Sequence, residues 1–420
     1  MAIKKIKISN FKSFKNLEVE LSKFNVLIGA NASGKSNFIH IFEFLRDLTN
    51  FGLDSAISMQ GGVEYFGNIN IGSSKHFSIE ITDAARESYT SAVEELGVEG
   101  YETTYRFSLE FIGGRNFGIV QDELLQKCNF YEYTKRRGKT VKERTRKGEI
   151  VLSRKGSIPS FSFNPPKGMK IEPDTIFQVW VTQRACEAAK TINPRTLIME
   201  NAFLTFIGNT LKSSLKSIPI YDFDPKLPKK AQAITGRAKL EEDGSNLAIV
   251  LKNIMRSRNN KRKLFNLLQN ILPFVSDLRV ETFADKSLMF KLQESYLGRR
   301  FLPASLVSDG TINVIALIVS LYFGEEPLRI IEEPGRNIHP YLISRMVSMM
   351  KEASENSQII VTTHNPEIVK NADLKDVLLV SRDKNGYSSI SKPSEKKEIQ
   401  VFLEKQMGIE ELYVRNLLEM

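Results

Sequence analysis

Residues 25–37 read Asn25-Val26-Leu27-Ile28-Gly29-Ala30-Asn31-Ala32-Ser33-Gly34-Lys35-Ser36-Asn37. The stretch opens with a short apolar run typical of a buried strand, and the apolar spacing that follows it is typical of a helix. Gly29, Gly34, Lys35 and Ser36 match G-x-x-x-x-G-K-[ST], the P-loop pattern. Its glycines let backbone N–H groups surround an oxyanion, and the helix presents its positive dipole end to the same anion. The stretch therefore predicts a phosphate-binding loop between a strand and a helix.

Length and composition bound the class of protein. The chain has 420 residues, of which 41% are hydrophobic and 26% charged, as in an ordinary globular protein. A net charge of +10 permits a polyanionic partner and equally suits a bound nucleotide. Cys128 and Cys186 cannot build a disulfide framework or a zinc site alone. Because we find neither a bilayer-spanning apolar run nor a signal peptide, we expect a cytoplasmic protein without a membrane partner.

Periodicity divides the chain into three segments. Residues 1–165 read mainly as strands, for example over 3–9, 14–21 and 101–164, with a surface helix expected over 83–96. The boundary is placed at Pro165-Pro166. Residues 166–300 read as an insertion with helices over 194–216 and 245–272 and strands over 277–293. From residue 301 to 420 strands and helices alternate, which predicts a parallel sheet.

A basic run lies between residues 135 and 155. Its cations are Lys135, Arg136, Arg137, Lys139, Lys142, Arg144, Arg146, Lys147, Arg154 and Lys155. The favoured interpretation is a solvated hairpin tip. The alternative is a contact with the phosphate backbone of DNA. Few aromatic residues interleave with the charges, which argues against base stacking.

A carboxylate pair follows a buried strand near the C-terminal end. The apolar run 328–331 ends in Glu332-Glu333-Pro334. Ligands gather at the carboxyl ends of strands in a parallel sheet, where the P-loop also begins. Hydrolysis of a bound nucleotide needs an acid that orients Mg²⁺ and a base that aligns water. The pair is a candidate for both roles, and the alternative is an ordinary acidic turn.

Several motifs occur together and in a fixed order. They are Ile8-Ser9-Asn10-Phe11-Lys12-Ser13-Phe14, Gly29-x-Asn31-x-x-Gly34-Lys35-Ser36-Asn37, Ser308-Asp309-Gly310-Thr311, Glu332-Glu333-Pro334, Ile338-His339-Pro340 and Thr362-Thr363-His364-Asn365-Pro366. In this set the chain resembles ABC-class ATPases, in particular the soluble SMC-, RecF- and OLD-like branch of prokaryotic AAA-family ATPases. The resemblance is dense over about the first 80 and last 120 residues and thin between them.

The resemblance implies an α/β P-loop NTPase fold. The expected architecture is an ABC-ATPase head with a mixed sheet, an antiparallel β subdomain and a largely helical insertion. The implied cofactors are ATP and Mg²⁺. The implied partner in the ATP-bound state is a second copy of the chain.

The resemblance also assigns site residues. The residues expected to bind nucleotide are Lys12, Gly29, Asn31, Ser33, Gly34, Lys35, Ser36, Asn37, Ser308 and Gly310, of which the last two cap the ATP of the other protomer. Ser36 and Glu332 are expected to hold Mg²⁺. Glu333 is the expected catalytic base, Lys35 the expected transition-state cation and His364 the expected sensor of the γ-phosphate.

The sequence departs from the family pattern at three places. Glu332 stands where Asp is commoner, and Gly335 stands where an acidic residue is frequent. The family's signature motif corresponds to residues 308–311, which read Ser-Asp-Gly-Thr instead of Ser-Gly-Gly-Gln, and this points away from transporters. The favoured candidate for the family's Q-loop glutamine is Gln60, just before Gly61-Gly62, and Gln121 and Gln183 are alternatives.

The expected function is an ATPase whose heads dimerise on ATP, acting in DNA repair or anti-phage defence. One alternative is an ATP-dependent switch subunit that gates a partner effector protein. A transporter nucleotide-binding subunit is a less favoured alternative. An OLD-like nuclease is disfavoured because only about 55 residues follow the His364 motif, which is short for an appended domain.

Overall fold

The computed structural model supplies the coordinates of the chain. It describes residues 3–84, 86–90, 96–112, 116–136, 139–155, 158–168, 193–201, 207–283, 287–397, 399, 408–415 and 417. Two compact units share the chain. The first unit contains Met1–Ser22, Ala32–Ile218 and Val380–Ile390, and the second contains Lys23–Asn31, Pro219–Leu379 and Ser391–Met420.

An antiparallel sheet forms most of the first unit. Its strands are β1 (Ile3–Phe11), β2 (Phe14–Glu20), β4 (Phe77–Asp83), β5 (Glu87–Thr90), β6 (Leu96–Phe111), β7 (Phe117–Arg136), β8 (Lys139–Lys155) and β9 (Ile158–Asn164). The order is β2-β1-β4-β6-β7-β8-β9, with β5 paired to β6. This sheet confirms the strand-rich first segment predicted from alternating apolar residues.

Among the residues that the structure describes, the first unit contains four helices beside this sheet. They are α1 (Lys35–Phe51), α2 (Leu53–Met59), α3 (Val63–Phe66) and α4 (Asn209–Lys216). Helix α1 buries Phe44 among aromatic rings, with centroids 4.8 Å from Phe66 and 5.9 Å from Phe77. Edge-to-face aromatic contacts of this kind add to the stabilisation from apolar burial. The aromatic cluster therefore fixes the helix that follows the P-loop against the strands of its own unit.

A parallel sheet is the centre of the second unit. Its strands are β3 (Phe24–Ile28), β10 (Ile220–Tyr221), β15 (Leu328–Glu332), β16 (Gln358–Thr363) and β17 (Val377–Arg382). The order is β10-β15-β16-β3-β17, and β17 is followed by β18 (Ser388–Ser391), with the segment Val380–Ile390 belonging to the first unit. All pairings from β10 to β17 are parallel. Strands β3 and β16 are buried along their whole length, and for β3 the apolar run before the P-loop predicted this.

Helices and a smaller sheet complete the second unit. The helices are α5 (Leu247–Arg256), α6 (Arg258–Ile271), α7 (Asp309–Tyr322), α8 (Pro340–Ala353), α9 (Pro366–Asn371) and α10 (Ile409–Val414). The smaller sheet contains β11 (Gln232–Ala233), β12 (Val275–Phe283), β13 (Ser287–Glu294) and β14 (Leu302–Pro303). Short 3-10 turns occur in this unit at Ser295–Leu297, Ala304–Leu306, Leu374–Asp376 and Pro393–Glu395, and in the first unit at Gly72–Ser74 and Ile198–Glu200. In the described residues, no helix is long and apolar enough to cross a membrane.

The surface helix expected over residues 83–96 is wrong. Glu87–Thr90 form a strand, and the carboxylate of Glu87 is buried. It accepts hydrogen bonds from the Tyr89 hydroxyl at 2.6 Å, the Gln126 side-chain amide at 2.7 Å and the Gly208 backbone N–H at 2.9 Å. A charged residue that a helical pattern assigns to solvent is thus held inside by partners far away in sequence.

A buried polar cluster, formed by Tyr105, Asp122 and Arg154, connects residues 193–200 to the antiparallel sheet. Asp122 on β7 accepts hydrogen bonds from the Ile198 backbone N–H at 2.7 Å and the Tyr105 hydroxyl at 2.9 Å. Arg154 on β8 donates to the carbonyl of Asn193 at 3.3 Å and to those of Pro194 and Thr196. Burial raises the pKa of Asp122 to about 7, against the opposing effect of its hydrogen-bond donors.

Burial of Asp122 in this polar cluster predicts that the stability of the fold depends on pH. Between pH 4 and pH 7, folded Asp122 retains a proton that the unfolded chain releases, so the free energy of unfolding falls as pH rises through this window. The loss is up to about 4 kcal/mol, at 1.36 kcal/mol for each unit of pKa shift. In Asp122→Asn the titrating group is absent, and urea unfolding at pH 4 and pH 7 should show a smaller loss than in wild type.

Glu110→Gln is the matched control, because Glu110 is an exposed carboxylate on the neighbouring strand β6. Its unfolding free energy should change with pH as wild type does. Equal pH slopes for Asp122→Asn and wild type would contradict the burial of an ionisable Asp122 as the cause.

Candidate functional site

Three strand ends meet in register at one edge of the parallel sheet. Glu332 at the end of β15 pairs with Thr362 on β16, and Thr363 pairs with Ile28 at the end of β3. The P-loop leaves β3 at Gly29, directly after this edge. The sheet therefore collects the carboxylate pair, the His364 motif and the first P-loop residue at its carboxyl edge, as predicted for a ligand site in a parallel sheet.

Glu333 has a strained backbone. Its φ angle is 45°, in the left-handed region that residues other than glycine seldom adopt. Its backbone N–H donates to the Thr362 carbonyl at 2.9 Å, which continues the β15–β16 pairing one residue past the strand. Strain of this kind persists only where the surroundings hold the residue, and it is concentrated at functional sites.

The Glu333 carboxylate is bound by the residues that end β16. Its Oε1 lies 2.6 Å from Nδ1 of His364. Its Oε2 accepts hydrogen bonds from the Thr363 hydroxyl at 3.3 Å and the His364 backbone N–H at 3.4 Å. The Glu333 side chain is mostly buried, at 18% exposure, whereas that of His364 is 66% exposed. A fixed carboxylate thus faces an accessible imidazole, an arrangement suited to holding and deprotonating a water molecule.

The first P-loop residue is contacted by the last described helix. The Tyr413 hydroxyl on α10 donates to the Gly29 carbonyl at 3.3 Å. Burial raises the pKa of Tyr413, and the charge of Glu333 raises it further. Tyr413 therefore stays a neutral hydrogen-bond donor at the carboxyl edge of the sheet at neutral pH.

The later P-loop residues have the backbone that a phosphate cradle needs. Ala32 has φ 62° and Gly34 has φ 116°. A Cβ atom at Gly34 would lie 2.3 Å from the Ser388 Oγ, so the loop has no room for a side chain there. Helix α1 begins at Lys35 without a side-chain cap and without an acidic residue in its first turn. The 17-residue helix therefore offers its positive end to an anion.

The P-loop side chains differ in exposure. Lys35 and Asn37 are half-buried, whereas Asn31 and Ser36 are exposed. Asn37 donates to the Ser13 hydroxyl at 2.7 Å, so its amide is committed to the β1–β2 turn. Ser33 is buried, and among the described residues its hydroxyl has no hydrogen-bond partner. A buried hydroxyl of this kind is compatible with a loop that acquires a polar ligand.

Lys12 lies in the strained β1–β2 turn. Its φ angle is 46°, and burial lowers the pKa of its ammonium group, while the charge of Glu43 on α1 opposes this. Burial, together with the positive charge of Lys12, lowers the pKa of His40 on α1 to about 4. Lys12 therefore acts electrostatically on helix α1, and its contact with phosphates stays a prediction.

The signature residues begin helix α7. The Ser308 hydroxyl accepts a hydrogen bond from the Thr311 backbone N–H at 3.2 Å, which makes Ser308 the N-cap of this helix. A Cβ atom at Gly310 would lie 2.5 Å from the Asn337 carbonyl, so glycine allows α7 to approach this backbone closely. Ser308 and Leu306 are exposed. The capped end of α7 is thus accessible on the second unit.

The basic run is partly committed to local contacts. Lys142 pairs with Glu99 at 2.7 Å, and Arg146 donates to the Lys167 carbonyl at 3.0 Å. Arg154 is buried in the polar cluster with Tyr105 and Asp122, so its inclusion in a DNA-contacting surface is wrong. The side chains of 133–141, 144 and 155 lie outside the described set. For the other cations the DNA contact stays a prediction.

The candidate glutamines lie in different environments. Gln60 is buried at the end of α2, and Gln121 is exposed on β7. Gln183 lies outside the described residues, as does Cys186.

The residues predicted to hold Mg²⁺ have the right chemistry. Mg²⁺ prefers oxygen ligands and is usually held by one or two carboxylates together with substrate phosphates. Ser36 offers a hydroxyl, and Glu332 ends β15 at the carboxyl edge of the sheet. Within the described residues no group of three or more His, Cys, Asp or Glu could hold a metal by itself. This donor set fits a cation that is bound together with a nucleotide.

Some contacts with the P-loop come from residues that the sequence did not reveal as candidates. They are Ser13, Arg382, Ser388 and Tyr413. Arg382 and Ser388 follow the P-loop by about 350 residues, and no local pattern connects them to it. The motif Thr362-Thr363-His364 gave the only sequence signal for the Thr363 contact with Glu333.

Comparisons with known proteins agree with this geometry. Residues 1–149 match the family described as "AAA ATPase domain". Residues 199–370 match the family described as "AAA domain, putative AbiEii toxin, Type IV TA system". No curated protein matches the sequence.

Solved SMC head domains are similar to the chain over most of its length. An SMC head bound to the C-winged helix domain of ScpA has 17% identity and a TM-score of 0.49, and the match covers 93% of this chain and 98% of that one. The SMC head domain from Thermotoga maritima has 16% identity and a TM-score of 0.43, with 93% and 99% covered. An SMC head with an extended coiled coil from Pyrococcus furiosus has 16% identity and a TM-score of 0.45, with 96% and 99% covered.

The two family matches lie on either side of residues 150–198, and they include the P-loop, the signature, the carboxylate pair and His364. The observed sheets, helices and strand ends carry these motifs as the resemblance implied. The chain has a mixed α/β P-loop fold, and its two matched segments resemble AAA ATPase domains.

Proposed function

We propose that the chain binds ATP with Mg²⁺ and hydrolyses it to ADP and phosphate. The observation that supports this most directly is the Glu333–His364 pair, with oxygen and nitrogen 2.6 Å apart at the sheet edge where the P-loop begins. Glu333 orients and deprotonates the attacking water. His364 keeps the carboxylate in place and senses the γ-phosphate from its exposed face. Lys35 stabilises the charge that develops on the transferred phosphoryl group.

The Mg²⁺ site completes this proposal. Ser36 and Glu332 would hold the ion, which supplies charge neutralisation of the phosphate oxygens when it is bound. Glu332 is one methylene longer than the commoner Asp, and it can reach the ion through a water molecule. The P-loop N–H groups and the positive end of α1 bind the phosphates, with Asn31 and Gly29 shaping the loop.

ATP-dependent dimerisation of the head is the second part of the proposal. Ser308 is exposed and caps helix α7, whose N-terminus is suited to an anion. A second copy of the chain would bring its bound ATP to this helix end. Gly310 permits the close packing of α7 on the Asn337 backbone, which keeps the capped end in a fixed position.

For the biological role we propose only a class of process. DNA repair and anti-phage defence both suit an ATPase of this kind. The description of the family matched by residues 199–370 names a toxin and a type IV toxin–antitoxin system, which favours defence. In that role the ATP site would gate a partner effector protein, and DNA would be a further candidate partner of the basic run.

Removal of the catalytic base tests the proposed reaction. Glu333→Gln keeps the shape of the side chain but cannot accept the proton from water. We expect phosphate release to fall by roughly 10²- to 10⁴-fold while ATP binding is retained. Steady-state phosphate release and equilibrium binding of fluorescent ATP measure the two quantities.

Glu325→Gln is the control for the loss of one negative charge, because Glu325 is exposed in the same unit. Its phosphate release should equal that of wild type. Unchanged turnover in Glu333→Gln would exclude Glu333 as the base.

Substitution of the signature serine tests the shared site. In the Glu333→Gln background, Ser308→Arg should leave ATP binding by the monomer intact and abolish the ATP-dependent dimer. Light scattering after size exclusion, with and without ATP and Mg²⁺, gives the mass. Ser348→Arg, on the exposed face of α8, should still dimerise. A dimer that survives Ser308→Arg would refute the proposed arrangement.

A further inference from the structure

The hairpin between β17 and β18 has a turn that is fixed by side-chain hydrogen bonds within the first unit. Arg382 ends β17 and Ser388 begins β18. Between them, the Asp383 carboxylate accepts hydrogen bonds from the backbone N–H groups of Asn385 at 2.9 Å and Tyr387 at 2.8 Å. These bonds fix the positions from which the residues at the two strand ends contact other parts of the unit.

Arg382 connects the hairpin to the P-loop. Its Nη1 donates to the Ala32 carbonyl at 3.2 Å, and its Nε donates to the Gly386 carbonyl at 2.9 Å. The guanidinium is planar, so the bond to Gly386 also orients the nitrogen that contacts Ala32. The Arg382 side chain is exposed, so it does not contribute to a hydrophobic core.

Ser388 makes the second connection, at the next P-loop residue. Its hydroxyl donates to the Ser33 carbonyl at 2.6 Å and lies 2.8 Å from the Ser13 hydroxyl. Because a carbonyl can only accept, the single Ser388 proton is committed to Ser33, and the Ser13 hydroxyl supplies the proton between the two serines. The Ser388 backbone N–H also donates to the Ser13 carbonyl at 2.8 Å. Ser388 is therefore fixed by its two contacts with Ser13 and in turn binds the Ser33 carbonyl of the P-loop.

These contacts determine where two P-loop N–H groups point. The described residues contain no cis peptide bond, and in a trans peptide the C=O and the following N–H point in opposite directions. A carbonyl of Ala32 held towards Arg382 turns the N–H of Ser33 the other way. A carbonyl of Ser33 held towards Ser388 does the same for the N–H of Gly34.

We propose that Arg382 and Ser388 are positioning residues that orient two consecutive P-loop N–H groups towards the phosphates of a nucleoside triphosphate. They bind the loop from behind and do not touch the nucleotide. The inference rests on the proposed function, since it assigns the loop a phosphate ligand.

The loop needs such support because its backbone is strained. Ala32 has φ 62°, a conformation unfavourable for a residue with a Cβ atom. Without the two contacts, the peptides on either side of Ser33 are free to turn, and their N–H groups leave the orientation that an anion requires. At Gly34 a Cβ atom would lie 2.3 Å from the Ser388 Oγ, so the hairpin packs directly against the loop at this residue.

Ser388→Ala tests the first contact. The variant removes one hydroxyl from a buried position and leaves the Ser33 carbonyl without this donor. We expect the affinities for fluorescently labelled ATP and ADP to fall by the same factor, roughly tenfold, since P-loop N–H groups cradle phosphates common to both. Ser389→Ala is the matched control, because Ser389 is the exposed neighbour, and its affinities should equal those of wild type.

Arg382 provides a test that does not depend on a buried residue. Arg382→Met should weaken nucleotide binding severalfold at an unchanged midpoint of thermal unfolding, and Arg382→Lys, which retains a donor, should recover part of the loss. Lys384→Met, in the exposed turn of the same hairpin, controls for the loss of a positive charge. Weakened binding in Lys384→Met to the same extent would show a general charge effect and overturn the inference.

The two proposals fail in different ways. If the wild-type chain binds neither ATP nor ADP, the proposed function is wrong and the inference falls with it. If the wild type binds both nucleotides and the Ser388→Ala and Arg382→Met variants bind them equally well, only the positioning role is wrong. Selective loss in these two variants supports it.

Discussion

The parallel register of β3, β16 and β15 is the constraint on which the site depends. Pairing of Thr363 with Ile28 and of Glu332 with Thr362 brings three strand ends to one edge. A slip of one residue would turn every side chain of a strand to the opposite face and would move Glu333 away from the end of β16. The register of the backbone pairing therefore aligns Glu333 with His364.

Backbone strain in each unit is offset by contacts that are long-range in sequence. Glu333 and Ala32 both have positive φ angles, and each is held by hydrogen bonds from segments distant in sequence. The residues that end β16 hold Glu333, whereas the β17–β18 hairpin holds the carbonyl of Ala32. A strained backbone that is fixed before a ligand arrives costs no reorganisation when the ligand binds, which is the requirement for electrostatic stabilisation of a transition state.

The sequence predicted those parts of the fold that local patterns encode. Apolar runs located β3 and β15, and the P-loop pattern located the start of α1. The assignment of 83–96 failed because Glu87 is stabilised by Gln126 and Gly208, which no local window contains. The contact of Ser388 with the Ser33 carbonyl could not be predicted for the same reason, since it joins residues 355 positions apart. Motif spacing indicated which residues carry chemistry, but not which residues position them.

The most direct test of the central claim is phosphate release by the purified chain with ATP and Mg²⁺, measured beside Lys35→Ala. We predict measurable release by wild type, dependence of that release on Mg²⁺, and loss of both release and ATP binding in Lys35→Ala. Phosphate release that is equal in wild type and Lys35→Ala would contradict the assignment of the P-loop as the site of hydrolysis.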